Sequence, residues 1–178
     1  QRKLLKWTVP GVAHVFAFWG FLVLTLTVVE AFVELFVSDF AFPLVGTWPV
    51  VRFAEDLFAV LVLVGILIFA VIRWRNDPAR QGRSSRFFGS HTSGAWLVLF
   101  MILMVVVTLL VYRGAKINVE GSDGMAGAFA SQWVAGLLEP LGETANEWIL
   151  TVGIWAHVAV ILGFLLIRKL RQIHHMRR

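Results

Sequence analysis

The chain contains no cysteine. Disulfides, cysteine-ligated zinc and iron–sulfur clusters are therefore excluded within it. Any such centre has to sit on a partner or on another part of a longer polypeptide. Polar stretches are scarce as well. Of 178 residues, 58% are hydrophobic and 15% charged, and the mean hydropathy is +0.78. Soluble domains sit nearer half apolar and break their apolar residues into stripes. Here they form long unbroken blocks, which leaves no room for a sizeable soluble domain. No cleavable signal peptide is expected in this stretch, because the first apolar block is too long for one. No internal repeat or low-complexity tract is present. The chain begins at Gln1, not Met, and ends Met176-Arg177-Arg178. The expectation is that it is part of a longer polypeptide.

What remains is a set of membrane spans. A helix needs roughly 20 apolar residues to cross the hydrocarbon core, and only helix satisfies the backbone of such a block in lipid. Spans are predicted at about 8–37, 54–74, 94–112 and 148–170. The second is Leu57–Ile72 extended past Glu55 and Asp56. Between the third and fourth, Gly114–Asp123 reads as polar and turn-like. Gly124–Leu138 reads as a helix on the outer interface, with Phe129, Trp133, Leu137 and Leu138 near helical spacing, ended by Pro140 and Gly142. The predicted fold is an all-α integral membrane bundle of four transmembrane helices with one outer interfacial helix, forming a single domain over 1–178.

The charges orient it. With the N-terminus in the cytoplasm, Arg2, Lys3 and Lys6 lie inside, as do Arg73, Arg75, Arg80, Arg83 and Arg86, and Arg168, Lys169, Arg171, Arg177 and Arg178. That places 13 of the 16 basic residues inside and leaves only Arg52, Arg113 and Lys116 outside. Both termini are therefore expected in the cytoplasm. Trp7, Trp74, Trp96 and Trp148 fall near span ends, as an aromatic belt requires. The net charge of +5 sits in these membrane-flanking clusters, so it points to lipid head groups and not to nucleic acid.

Ionisable residues inside a membrane are costly and by default functional. His14 lies about 10 Å into the first span and His157 about 16 Å into the fourth, counted from the cytoplasmic side. The spans run in opposite directions, so tilt absorbs the difference. Two neutral imidazoles at similar depth are what haem b requires. Gly11, Ala17, Phe18 and Phe21 share the face of His14, and Gly153, Val160, Ile161 and Phe164 that of His157, a composition suited to a porphyrin slot. The competing reading is that each histidine only hydrogen-bonds a neighbouring helix. His175 follows His157 by 18 residues, about five helical turns, and becomes a further candidate ligand, with His174 beside it. The alternative for that pair is a basic, solvated tail. His91 opens the third span beside Ser90 and Ser93, either of which suits an N-cap.

These histidine segments carry a resemblance. His14-Val15-Phe16-Ala17-Phe18-Trp19-Gly20-Phe21, and Trp155-Ala156-His157 followed by Arg168–His175, resemble the first and last spans of a family of membrane-bound iron–sulfur oxidoreductases. The membrane domain of that family is similar to the nitrate reductase gamma subunit, a b-type cytochrome. A cytoplasmic part similar to the cluster-bearing polypeptide of heterodisulfide reductase follows it and carries the iron–sulfur centres. Within the family, the chain resembles the actinobacterial electron-transfer-flavoprotein–menaquinone oxidoreductases. The resemblance implies haem b, one or two, as cofactor, menaquinone as electron acceptor, and a bacterial inner (plasma) membrane location. It implies an electron-transfer flavoprotein and a cytoplasmic iron–sulfur module as partners. In the gamma subunit, histidines ten apart in one span meet histidines 18 apart in the last. His157 and His175 keep the second spacing, but Leu24 stands where a partner of His14 would be and cannot ligate iron. Depth favours pairing His14 with His157, whereas the gamma-subunit pattern allows His14 with His175.

A second cluster lies at the outer end. Glu30 and Glu34 are one turn apart, Glu55 and Asp56 open the second span, and Arg52 is the one basic residue of the first outer loop. Glu30, Arg52 and Asp56 are candidates for passing protons to a quinone; the alternative is a solvated span end with a salt bridge. A quinone head on the cytoplasmic side, near the arginine loop, stays open. The function expected is electron transfer from a cytoplasmic flavoprotein or iron–sulfur module through haem b to menaquinone. The rivals are a haem-free anchor or assembly subunit, and a small transporter. The lack of Pro- or Gly-broken spans in matching halves weighs against the transporter.

Overall fold

The computed structural model describes residues 8–37, 40–43, 46–75, 92–123 and 125–176, apart from the side chains of 8–10, 92, 93, 168 and 170–176. The elements are α1 (Thr8–Glu34), α2 (Pro49–Arg75), α3 (Thr92–Glu120), α4 (Phe129–Leu138), a short 3-10 turn (Glu139–Leu141) and α5 (Glu143–Met176). No strand occurs among the described residues. Four helices are long and apolar enough to cross a membrane: Gly11–Glu34, Pro49–Arg75, Gly94–Glu120 and Glu143–Ile167. The predicted fold class is the observed one.

α1 packs against α2 and α3 against α5, with a smaller contact between α2 and α3. Small residues permit the close approaches, as expected where lipid removes the hydrophobic drive between helices. A Cβ on Gly153 of α5 would lie 2.9 Å from the Tyr112 Cβ, and one on Gly65 of α2 would lie 3.3 Å from the Ala13 carbonyl oxygen. The core is built from Leu24, Val62, Ile66, Val106, Leu109 and Val158. Bulky apolar residues such as Trp19, Phe21, Leu67, Phe100, Trp155 and Leu166 point outward. Exposed apolar surface on this scale marks a lipid-facing or partner-facing wall. Trp74, Trp96 and Trp148 are also exposed near span ends.

Helix boundaries differ from expectation at one end of the bundle, where α1 and α3 finish and α2 and α5 start. α2 begins at Pro49, a residue whose fixed φ and missing N–H suit a first helical position, so Arg52 stands in the first turn of a helix and not in a loop. α3 does not stop at Tyr112. It continues through the predicted turn to Glu120 and ends at Gly121, which has φ +92°. The extra turns are held from two sides. Gly114 lets α4 approach, since a Cβ there would lie 3.0 Å from the Ala135 backbone nitrogen, and Arg113 and Lys116 find acidic partners on α1 and α2.

α4 buries Ala130, Ser131 and Ala135 against the bundle and leaves Phe129, Trp133 and Leu137 exposed. An apolar face turned away from the protein is what an interfacial helix lays into lipid. Its C-terminal end is tied down by two asparagines. Asn118 Nδ2 of α3 donates to the Ala135 carbonyl at 2.9 Å and to Asn146 Oδ1 at 3.0 Å, while Asn146 Nδ2 of α5 donates to the Leu138 carbonyl at 3.0 Å.

Candidate functional site

Two polar sites stand in this apolar frame. The first is His157. α5 carries it into the interior, where it is completely buried. Its Nδ1 lies 2.9 Å from Thr108 Oγ1 of α3. The Thr108 hydroxyl has one hydrogen to give, and the Met104 carbonyl, 2.7 Å away, takes it. With that hydrogen on Met104, Thr108 Oγ1 accepts from Nδ1–H and the lone pair is on Nε2. Nε2 is buried and has no partner. A buried polar atom left unclaimed is uncommon and asks for an explanation. An imidazole fixed through one nitrogen with the other bare is the form in which histidine binds a metal. The one bare nitrogen of His157 is of the kind that ligates a haem iron. The Tyr112 ring packs beside it, with centroids 5.5 Å apart.

The other histidines are placed differently. His14 is exposed on α1, its ring edge-on to Phe69 of α2 with centroids 6.5 Å apart. The contacts of the His14 ring come from α2 and those of the His157 ring from α3. His174 and His175 belong to α5, which runs unbroken from His157 to beyond them, but their side chains lie outside the described residues, as does His91 altogether. The basic segments before residue 8 and over 76–91, on which orientation rests, also lie outside them.

The second site is at the α4 end. Arg52 Nη1 donates to Glu30 Oε2 at 2.7 Å and to Glu55 Oε2 at 3.1 Å. Arg113 donates to Glu55 Oε2 and to Asp56 Oδ1, each at 3.2 Å. All five side chains are at most 7% exposed. This is a buried charge knot, and it contains the salt bridge to Arg52. Asp56 has a further task. Its Oδ2 accepts the Ser131 backbone N–H at 2.7 Å, and its Oδ1 accepts the Ser131 hydroxyl at 2.9 Å. α4 lacks a cap from its own N-cap residue, Ala128. Asp56 supplies one from α2, meeting both a free N–H and the positive end of the helix dipole. Farther out, Lys116 pairs with Glu34 and Glu120.

A cavity of about 290 Å³ opens onto this knot, its wall including Glu30, Arg52, Tyr112, Arg113, Lys116 and Phe40. Glu30 and Arg52, two of the three residues considered for proton transfer, line it; Asp56 does not. Arg113, Tyr112, Ser131 and Thr108 do not stand out in the sequence. Charge counting offers the signal for Arg113. Two adjacent acids at the start of an apolar span require cations, and only Arg52, Arg113 and Lys116 lie on that side.

No family model matches the chain, and no solved structure matches it. It is similar to a probable iron–sulfur-binding oxidoreductase, FadF, of Bacillus subtilis (strain 168), at 23% identity over 170 residues. The match takes in 93% of this chain and 22% of the relative, so the chain spans about a fifth of that protein's length. The likeness is to an oxidoreductase.

Proposed function

We propose that this chain is the membrane module of an oxidoreductase, passing electrons from a cytoplasmic donor through haem b to menaquinone. The observation that carries the reading is His157, held through Nδ1 and bare at Nε2. Nε2 of His157 would hold the haem iron, and His14 or His175 would supply the second imidazole. Bound haem b supplies one-electron redox chemistry. The chain does the rest. Thr108 fixes the tautomer and the ring, α3 and α5 keep water from it, and Tyr112 packs between the ring and the outer cavity. In that cavity Arg52 would hold a quinone carbonyl and Glu30 would carry protons, while Asp56 fixes Arg113 and α4 from behind.

The donor follows from what the chain lacks. The relative is named as iron–sulfur-binding, and this chain has no cysteine to hold a cluster. The clusters therefore belong to a cytoplasmic iron–sulfur module, in the same polypeptide or another, fed by an electron-transfer flavoprotein. The basic exit from α5 faces that side in the proposed orientation, at a bacterial inner membrane.

A visible spectrum of the protein purified from its own membranes tests the reading. Dithionite should give the bands of reduced b-type haem, and His157→Ala should abolish them. His14→Ala and His175→Ala, assayed for haem per protein, decide the second ligand. A native protein without those bands is a haem-free anchor, and the proposal falls.

A further inference from the structure

The buried knot joins three carboxylates, Glu30, Glu55 and Asp56, to two guanidiniums, Arg52 and Arg113. One acid is in excess. An uncompensated charge away from water is expensive and is normally removed by binding or releasing a proton. The hydrogen bonds show which acid is free to take one.

Asp56 accepts three donors spread over both oxygens, from Arg113, the Ser131 hydroxyl and the Ser131 backbone. Glu30 also uses both oxygens: Oε2 accepts from Arg52 at 2.7 Å, and Oε1 accepts the Phe42 N–H at 3.1 Å. Every oxygen of these two acids already has a donor. Glu55 differs. Its Oε2 accepts both arginines, and its Oε1, on a side chain with 0% exposure, has no partner at all. A hydrogen on Oε1 breaks no existing bond and brings the five-residue knot to neutrality.

We propose that Glu55 is a carboxylic acid, the protonated member of the knot, and that it holds an exchangeable proton behind the wall of the outer cavity. The charged and titratable groups around it are Glu30 and Glu34 from α1, Arg52 and Asp56 from α2, and Tyr112, Arg113 and Lys116 from α3. Lys116 pairs with Glu34 and Glu120, so counting it brings two more acids with it and acids stay in excess. Arg52 bonds both Glu55 and Glu30, and Glu30 and Arg52 both line the cavity, so Glu55 sits one side chain behind the cavity wall. The assignment stands on the knot alone and does not depend on haem. Its use does rest on the proposed function: an electron acceptor reduced in this cavity would need protons, and Glu55 is a store beside it.

Infrared spectroscopy of the intact protein in lipid tests this. The carbonyl stretch of a protonated carboxylic acid should stand clear of the carboxylate bands, shift in deuterium oxide, and vanish in Glu55→Gln. Replacement of the exposed Glu143 by Gln should leave it in place. Glutamine mimics the protonated acid in shape, so Glu55→Gln should also unfold close to the native temperature, whereas Asp56→Asn should unfold earlier. If Glu55→Gln does not fold, ¹³C-carboxyl labelling of the unsubstituted protein serves instead: labelled glutamate should move the band and labelled aspartate should not. No such band, a band that survives in Glu55→Gln or moves with aspartate, or a band unaffected by deuterium oxide overturns the proposal. These outcomes are read without haem, so they separate from a failure of the electron-transfer reading.

Discussion

Tyr112 touches both candidate sites: its ring centroid lies 5.5 Å from that of His157, and the same side chain lines the cavity over the charge knot. The contact depends on Gly153, one helical turn before His157. A Cβ there would come within 2.9 Å of the Tyr112 Cβ and 3.3 Å of its Cα. Backbone cannot rotate away as a side chain can, so Gly153→Ala has to separate α3 from α5. Overpacking of this kind costs about 1–3 kcal/mol. The expected result is a lower unfolding temperature in detergent, with Tyr112 and His157 displaced from each other. An unchanged unfolding temperature would show that the helices adjust freely.

Thr108 acts on the proposed ligand from behind. Its hydroxyl donates to Met104 and its oxygen lies 2.9 Å from Nδ1 of His157, an arrangement that suits a hydrogen on Nδ1. Losing such a support to a metal-binding histidine typically costs 10–100-fold in affinity. Thr108→Val, close to Thr in shape, should therefore lose haem about 10–100-fold more readily on dilution and shift its midpoint potential. Thr108→Ser should restore both. A protein that contains haem but whose Thr108→Val variant matches the native one would leave Thr108 with a packing role only.

The knot should reveal itself in stability. Asp56→Ala removes the cap of α4 and one of the two acids on Arg113, which stays 2% exposed. Breaking a buried pair from one side costs about 3–5 kcal/mol. Ser131→Ala removes only the hydroxyl bond at 2.9 Å, worth about 1 kcal/mol. Thermal unfolding in detergent should rank the two in that order. Limited proteolysis should cut around α4 sooner in Asp56→Ala. Equal, small effects would mean that the knot opens to water in the membrane.

The four spans are legible in sequence because apolar length is a local property, and lipid leaves the backbone no alternative to helix. The ends of α2 and α3 are not. Glu55, Asp56, Arg113 and Lys116 read as membrane-flanking charges when taken singly, and Gly114 reads as a turn. Only the pairing of Glu55, Asp56 and Arg113 with Arg52 and Glu30 makes a buried knot, and with Lys116 on Glu34 it accompanies α3 to Glu120. His157 stands out as a lone ionisable residue in an apolar run. Thr108 does not, since a threonine in a span normally turns its hydroxyl to its own helix; that its oxygen also meets a ring on α5 is a tertiary fact.

Orientation is the remaining expectation, and the cysteine-free sequence makes it easy to test. Of 16 basic residues, 13 fall on one side of the predicted spans, and basic loops stay in the cytoplasm. The knot end carries Arg52, Arg113 and Lys116, but acids bind all three, so they exert little pull of their own on lipid head groups. The bias is therefore stronger than the count implies. Ser122, exposed just beyond α3, should lie outside, and Ser85, within the arginine-rich segment, should lie inside. Ser122→Cys should react with a membrane-impermeant thiol reagent on intact cells, and Ser85→Cys only after lysis. The reverse pattern would put the charge knot and its cavity in the cytoplasm, move any iron–sulfur donor to the same side as the proposed quinone, and remove the basis for electron transfer across the bundle.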